Sequence, residues 1–408
     1  MNPIRKSIVL LLFFFGFGCS HIIGPDIGPK GLVEVSVADF PEFKDDIFYD
    51  GMAHCLRQSL AYLNRMPSTY TFRFGDDTFD AVHMIRSLEV FLAFIEKKPD
   101  SQALNRFMRE SYRVYRSVGS DGGSGGGAGN SLGVLFTGYY EPLLLGTQNK
   151  KPGYTYPIYA RPEDIVSIDL SKFSPQYRGQ TIVGRYTGDT VIPYYERRQI
   201  DSEGALQGKT EPLAWIQDPI DLFFLQIQGS GKVFLDTGQT LHVHYHIANG
   251  HPYRSIGKLL IDAGKIPREQ MSMQAIRTYL KNHPLECQTI MNHNPSYVFF
   301  KLEEDGPVGY LGVTLTSGRS LAVDRRIFPL GGLAFMQTQK PLIDADGNID
   351  RWVDCTRFAA SQDVGGAIRG PGRADLFWGN GPYAEIAAGH LKHPGRLYFL
   401  VLKPSRSS

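Results

Sequence analysis

Gln362-Asp363-Val364-Gly365-Gly366-Ala367-Ile368-Arg369-Gly370-Pro371-Gly372-Arg373-Ala374-Asp375-Leu376-Phe377-Trp378-Gly379 is the densest stretch of the 408-residue chain. It sets two carboxylates twelve positions apart, with glycines between them that let the backbone fold back on itself. Asp375 runs into Leu376, Phe377 and Trp378. An apolar surround disfavours the charged form and lifts a carboxyl pKa, as a general acid working near neutral pH requires. Taken on spacing alone, the same pair also reads as turn aspartates bonding nearby backbone N–H groups. A third aspartate stands upstream in Ala322-Val323-Asp324-Arg325-Arg326-Ile327-Phe328-Pro329-Leu330-Gly331-Gly332. That segment reads as a strand, a charged turn and a Pro-Gly corner, where Asp324 by itself would be a structural ion pair.

Outward from this stretch, the chain from Val134 onward consists of short β-type runs broken by Gly and Pro. Strands are expected at Gly133–Tyr140, Thr181–Tyr186, Leu222–Ile227, Val233–Leu235, Thr240–Ile247, Tyr297–Leu302, Tyr310–Thr314, Leu321–Val323 and Leu397–Leu402. Helical interludes are expected at Ser255–Ala263 and Arg268–Asn282. Many short strands with few crossover helices argue for barrels over a parallel sheet. Helical periodicity belongs to the N-terminal third. Its stripes are Met52, Leu56, Leu60 and Leu63; Ala81, Ile85, Leu88, Leu92 and Ile95; and Leu104, Phe107, Met108, Tyr112 and Tyr115, the last after a capping Asp100. A Gly-rich run near 120–130 separates the two textures and has the composition of a flexible loop.

Composition excludes several classes. Forty-three Lys and Arg against 41 Asp and Glu, with no basic run, exclude a phosphate-tracking nucleic-acid binder. A hydrophobic content of 42% excludes a disordered chain. His242, His244 and His246 alternate with apolar residues, which puts the imidazoles on one strand face. The outer two would then lie roughly 13 Å apart, too far for one zinc ion, so the row reads as a polar face and not a metal site. Gln228-Gly229-Ser230-Gly231 lacks the spacing of a serine-hydrolase elbow.

At the N-terminus Arg5 and Lys6 precede an apolar run, Ile8 to Phe17, and Gly18-Cys19 follows. The run is too short for a bilayer, which takes roughly 20 residues, and has the layout of a secretory signal over residues 1–18. Cys19 sits where bacterial lipoproteins are acylated, and several acyl chains would hold the protein on a membrane; the same layout also reads as an ordinary secreted protein with a chance Cys. Ser20 next to it favours the outer membrane. Cys55, Cys287 and Cys355 remain, enough for one disulfide at most.

These segments together resemble the membrane-bound lytic transglycosylase A family of peptidoglycan-cleaving lipoproteins. The resemblance is carried by Phe136-Thr137-Gly138-Tyr139-Tyr140-Glu141-Pro142, Asp221 to Gly231, Asn249 to Gly257, Asn294 to Phe300, Val323-Asp324-Arg325 and the Gln362–Gly379 run, in that order over about residues 130–402. It implies a mainly β protein with N-terminal helices: a double-psi β-barrel domain, a smaller inserted β-domain, and a groove between them for a glycan strand. The expected boundaries are 19–144 for the N-terminal part of the large domain, 145–290 for the insert, and 291–402 for the three-aspartate barrel module that completes the large domain.

The implied chemistry is cleavage of the β-1,4 bond between N-acetylmuramic acid and N-acetylglucosamine without water, giving 1,6-anhydromuramic acid ends. Asp375 matches the family's single acid/base, with Asp363 and Asp324 as supporting residues. Tyr139, Tyr140, Glu141, Gln226, Gln228 and Ser230 are the expected substrate contacts. No cofactor or metal is implied. The implied partners are peptidoglycan glycan strands and, through Cys19, the periplasm-facing side of the outer membrane; membership of a cell-wall synthase complex is left open. Two other readings stand beside it: a hydrolytic peptidoglycan glycosidase that uses Asp363 and Asp375 with water, and a non-catalytic, expansin-like wall-binding lipoprotein.

Overall fold

The computed structural model describes residues 31–119, 133–177, 179–304 and 306–404. The expected leader, Cys19 and the Gly-rich run lie outside the described residues. Six strands close on themselves into a barrel in the order Lys392–Leu402, Leu333–Ile343, Ile349–Asp363, Ser320–Ala322, Arg373–Asn380 and Val134–Glu141, the last pairing back to the first. Two of the pairings are parallel, Ser320–Ala322 with Ile349–Asp363 and Arg373–Asn380 with Val134–Glu141. This is the double-psi barrel. An antiparallel pair, Leu32–Val35 and Tyr112–Ser117, extends the sheet from the Lys392 strand.

Leu333 to Met336 and Phe358 to Ala360 are buried without alternation, the pattern of strands covered on both faces. The cover comes from helices Met52–Leu63 and Ala81–Ile95, whose apolar stripes join the same core. Asp80 and Asp100 cap helices Ala81–Ile95 and Ser101–Ser111 by accepting from the N–H groups of His83 and Ala103, each at 2.8 Å. The N-terminal segment is also tied to the barrel by charge. Arg319 Nη1 and Nη2 meet Asp45 at 2.6 and 2.9 Å with both side chains out of solvent. Arg357 and Lys340 converge on Asp46 at 2.7 and 2.6 Å. Gln362 donates to the Cys55 carbonyl at 2.7 Å and to the Ser59 hydroxyl at 3.0 Å.

The second unit is a six-stranded sheet in the order Val298–Glu303, Thr240–Ala248, Ser230–Leu235, Leu143–Thr147, Pro212–Ile216 and Tyr156–Tyr159. A bridge from Ala160 to Phe300 closes it. Its last strand ends at Glu303, past the boundary at 290 expected from the sequence. Helices Pro219–Gln228, Ile256–Asp262, Met273–Asn282 and Pro284–Asn292 pack around a separate apolar cluster beside it.

Four expectations need correction. Leu222–Ile227 is not a strand but part of helix Pro219–Gln228. Asp218 caps it, Pro219 opens it, and Gly229 at φ 82° ends it, so end signals override an apolar run without period. Tyr112 and Tyr115 leave the third helix and form a strand, because their backbone pairs with Leu402 and Phe399. Tyr310–Thr314 is turn, with Gly312 at φ 66°. The helix expected over Arg268–Asn282 is a 3-10 turn at Arg268–Gln270 and then a helix from Met273. The histidine row is also interrupted. A bulge between Tyr245 and Ile247 leaves His246 without a register partner, while His244 is buried. The three thiols are free and buried. Among the described residues no helix is long and apolar enough to cross a membrane.

Candidate active site

The Arg373–Asn380 strand lies between Ser320–Ala322 and Val134–Glu141. Alternation sends Ala374, Leu376 and Trp378 into the core and leaves Arg373, Asp375 and Phe377 on the other face. Register then builds the site. Ala322 pairs with Asp375 on one side and Asp363 on the other, so the two acids stand two strands apart, about 10 Å between backbones. On the far side Thr137 pairs with Asp375, and Tyr139 with Phe377.

Asp375 Oδ1 is buried without a hydrogen-bond partner. Burial lifts its pKa from 3.8 to about 6, against the opposing pull of the Thr137 hydroxyl and the Arg373 charge; the nearby Asp363 adds to the rise. It is a carboxyl that keeps its proton into mildly acidic water and holds one oxygen free to give it away.

Asp363 is held differently. Its Oδ1 accepts from the N–H groups of Tyr310 and Val364, each at 2.9 Å, and its Oδ2 accepts from the Tyr139 hydroxyl at 2.8 Å. Burial pushes its pKa up as well, but these three donors oppose the shift. The Tyr139 ring packs on Phe377 with centroids 5.2 Å apart, so the phenol links the two acids' strands.

Asp324 has no exposed surface. Arg326 Nε and Nη2 reach it at 2.9 and 2.6 Å, and Gly370 N–H at 2.8 Å. Burial alone would raise its pKa, yet Arg326 and the two backbone donors bring it down to about 2. A permanently ionised Asp324 therefore clasps the loop between Asp363 and Asp375 through Gly370, itself at φ 80°, where other residues are strained.

The remaining expected contacts are placed elsewhere. Tyr140 points to the opposite face of its strand and is 3% exposed; its N–H donates to Gln228 Oε1 at 3.0 Å. Glu141 is wholly buried between Asn380 at 3.1 Å and Lys232 at 3.4 Å. Gln226 accepts from buried Arg197 at 2.6 Å, and buried Ser230 pairs with His244 across the second sheet. Of the six, Tyr139 alone keeps company with the aspartates. A cavity of about 490 Å³ lined by Gly138, Phe224, Gln228, Met271 and Met273 lies on the Tyr140 side and does not include Asp375. Thr137, Arg373 and Tyr310 are site residues that the sequence reading did not single out. Period-two counting from Tyr139 and Asp375 reaches the first two; nothing local marks the third.

Two family models match the chain: the MltA specific insert domain over residues 135–301 and the 3D domain over residues 319–401. The chain is 36% identical over 295 residues to the membrane-bound lytic murein transglycosylase A of Escherichia coli K12, an alignment that spans 72% of each protein. Among solved structures, a membrane-bound lytic murein transglycosylase from Agrobacterium tumefaciens superposes with a TM-score of 0.72 at 29% identity, covering 91% of this chain and 98% of the other. The Escherichia coli MltA structure with bound chitohexaose gives 0.68 at 26% identity, covering 93% and 97%.

Proposed function

The chain belongs to the membrane-bound lytic murein transglycosylase A family, and on that footing we propose that it cleaves the glycan strands of peptidoglycan without water, using Asp375 as its one acid and base. Protonated Asp375 donates to the oxygen linking N-acetylmuramic acid to N-acetylglucosamine, and the glycosidic bond breaks. The carboxylate so formed takes the proton of the muramyl C6 hydroxyl as that oxygen closes on the anomeric carbon. The products are a 1,6-anhydromuramyl end and a free N-acetylglucosamine end, and Asp375 is protonated again. One carboxyl suffices because the proton it gives in the first step returns in the second.

The observation that carries this reading is the state of Asp375: lifted to about 6, with Oδ1 buried and unpartnered. Asp363 is engaged by three donors and Asp324 by Arg326 and Gly370, so neither has the same freedom to move a proton. They hold the strand ends and loop that present Asp375. A hydrolytic glycosidase would need a second carboxyl free to activate water, and a mere wall binder has no use for a desolvated acid.

The test is the mass of the sugars released from purified sacculi. Anhydro ends support the proposal, and products one water heavier refute it. Asp375→Asn should lower release by at least ~100-fold, the usual share of a general acid, with the fold retained. We propose further that Cys19 is acylated and anchors the chain to the outer membrane facing the periplasm; a Cys19→Ser protein should fractionate as soluble.

A further inference from the structure

Three arginines flank the aspartates along the chain, and two of them, Arg325 and Arg369, play no part in the chemistry above. Arg325 follows Asp324, Arg369 precedes Gly370, and Arg373 lies two residues before Asp375 on the same strand face. Arg325 and Arg369 are exposed. Among the described residues none of the three forms an ion pair, in contrast to Arg326, which is spent on Asp324. Arg373 donates from Nη2 to Thr137 Oγ1 at 3.2 Å, and its Nε is buried without a partner.

Arg325 also rests on a neighbour. Its guanidinium lies over the Tyr310 ring, 5.2 Å from the centroid, and its Nη1 donates to the Tyr310 hydroxyl. Tyr310 is in turn fastened by its backbone N–H to Asp363, while half of the side chain stays in solvent at 50% exposure. A free-standing surface arginine loses side-chain entropy when it captures an anion. Here stacking on an aromatic ring has already met part of that cost, and the Nε and Nη2 donors of the planar fork stay open to a carboxylate.

We propose that Arg325, held by Tyr310, forms a subsite for a carboxylate carried by the glycan substrate. This rests on the function proposed above. Each muramyl unit offers one of two sources of such a group: the lactyl carboxylate where no stem is attached, or the carboxyls of the peptide stem where the lactyl carboxyl is taken up in the amide that holds it. The subsite makes the enzyme prefer acidic glycan over the same strand neutralised, and it acts on binding, not on the proton transfer.

The experiment crosses substrate with variant. Wild type, Arg325→Gln and Arg325→Lys act on glycan strands with stems attached, on strands stripped by an amidase so that only lactyl carboxylates remain, and on strands whose carboxyls have been converted to neutral amides. Arg325→Gln should lower kcat/KM about tenfold on acidic strands, the worth of one charge-assisted contact, through KM with kcat little changed. Arg325→Lys should recover part of the loss. On neutral amide strands wild type and Arg325→Gln should be equal, because the coupling requires both charges. A loss confined to the stripped strands assigns the lactyl carboxylate, a loss confined to the stem-bearing strands assigns the peptide, and a loss on both shows that the subsite takes either carboxylate. An equal loss on acidic and neutral strands, or no loss on either acidic strand, overturns the subsite while leaving the transglycosylase reading intact. Failure of wild type to cut any strand would remove both.

Discussion

A carboxyl with one oxygen buried and unpartnered is a liability to folding once it ionises, and Asp375 offers a measurable case. Its carboxyl titrates near 3.8 when unfolded and at about 6 in the fold. A folded-state pKa raised above the unfolded one contributes stability that is fully present below 3.8 and is lost as pH rises through about 6. Between pH 4 and pH 7.5 that linkage amounts to about 2.5 kcal/mol for this one residue. Asp375→Asn removes it. The amide will carry an offset of its own, because it leaves a donor or acceptor buried without a partner, but that offset does not titrate. The quantity to follow is therefore the stability of the variant minus that of wild type, measured at both pH values by denaturant unfolding of the barrel. The difference should grow in favour of Asn by about 2.5 kcal/mol from pH 4 to pH 7.5. A difference that stays flat with pH, or shrinks, would refute the claim that Asp375 is desolvated, and with it the reason for naming it the acid.

Tyr139→Phe deletes one donor to Asp363 Oδ2 and should lower kcat roughly tenfold, the effect of one lost hydrogen bond to a charged group, with KM nearly unchanged in steady-state assays on sacculi. Asp324→Asn leaves Arg326 without its charge partner and weakens the grip on Gly370; thermal or denaturant unfolding should show a loss of about 2–3 kcal/mol. The stability that Asp324 supplies is present above pH 3.8 and is lost as pH falls through about 2, so wild type and Asp324→Asn should converge at the acid end of a pH-resolved melt. Arg319→Met strands the Asp45 carboxylate inside the N-terminal junction, and urea unfolding should register about 3–5 kcal/mol of destabilisation.

Local pattern made the helices legible where both period and ends were written in the chain. Met52 to Leu63 and Ala81 to Ile95 each carry an unbroken stripe, and Thr181–Tyr186 carries the composition of a short strand. Leu222–Ile227 carries no usable period, because Leu222, Phe223, Phe224 and Leu225 are all buried. There the decisive information is the Asp218-Pro219 start and the Gly229 stop, not hydrophobicity. Tyr112 fails for another reason. Its helical neighbours predict continuation, but its backbone is claimed by the Lys392–Leu402 strand, almost three hundred residues away, and no window of sequence contains that competition.

The site divides along the same line. Asp375 and Asp363 were visible as a spaced pair because both lie in one Gly-rich stretch, and Tyr139 because it sits in a compact aromatic motif. Their meeting depends on register across four strands, with Ala322 paired to both acids and Thr137 to one of them. Tyr140 and Glu141 belong to the same motif as Tyr139 yet are buried, so motif membership does not predict which side chain reaches the site.

The strand behind the acid shows why such a group can be kept poorly solvated at all. On the core side of Val134–Glu141, a Cβ at Gly138 would come within 2.7 Å of Trp378 Nε1 and 2.8 Å of Ala388 Cα. Helix Pro382–His390 therefore presses directly onto the backbone of the strand that flanks Asp375. Close-packed backbone on one face, with the Tyr139–Phe377 ring pair on the other, limits how far the strand can relax to hydrate the carboxyl. An Ala at Gly138 would force that helix away by a substantial fraction of an ångström, and the strand carrying Thr137 and Tyr139 would gain room to shift. Packing thus links Gly138 to the pKa of Asp375: Gly138→Ala should bring Asp375 back toward 3.8 and, on the proposed function, move the alkaline limb of the pH–rate profile to lower pH. An unchanged limb in a folded Gly138→Ala protein would mean that the desolvation comes from the Tyr139–Phe377 face alone.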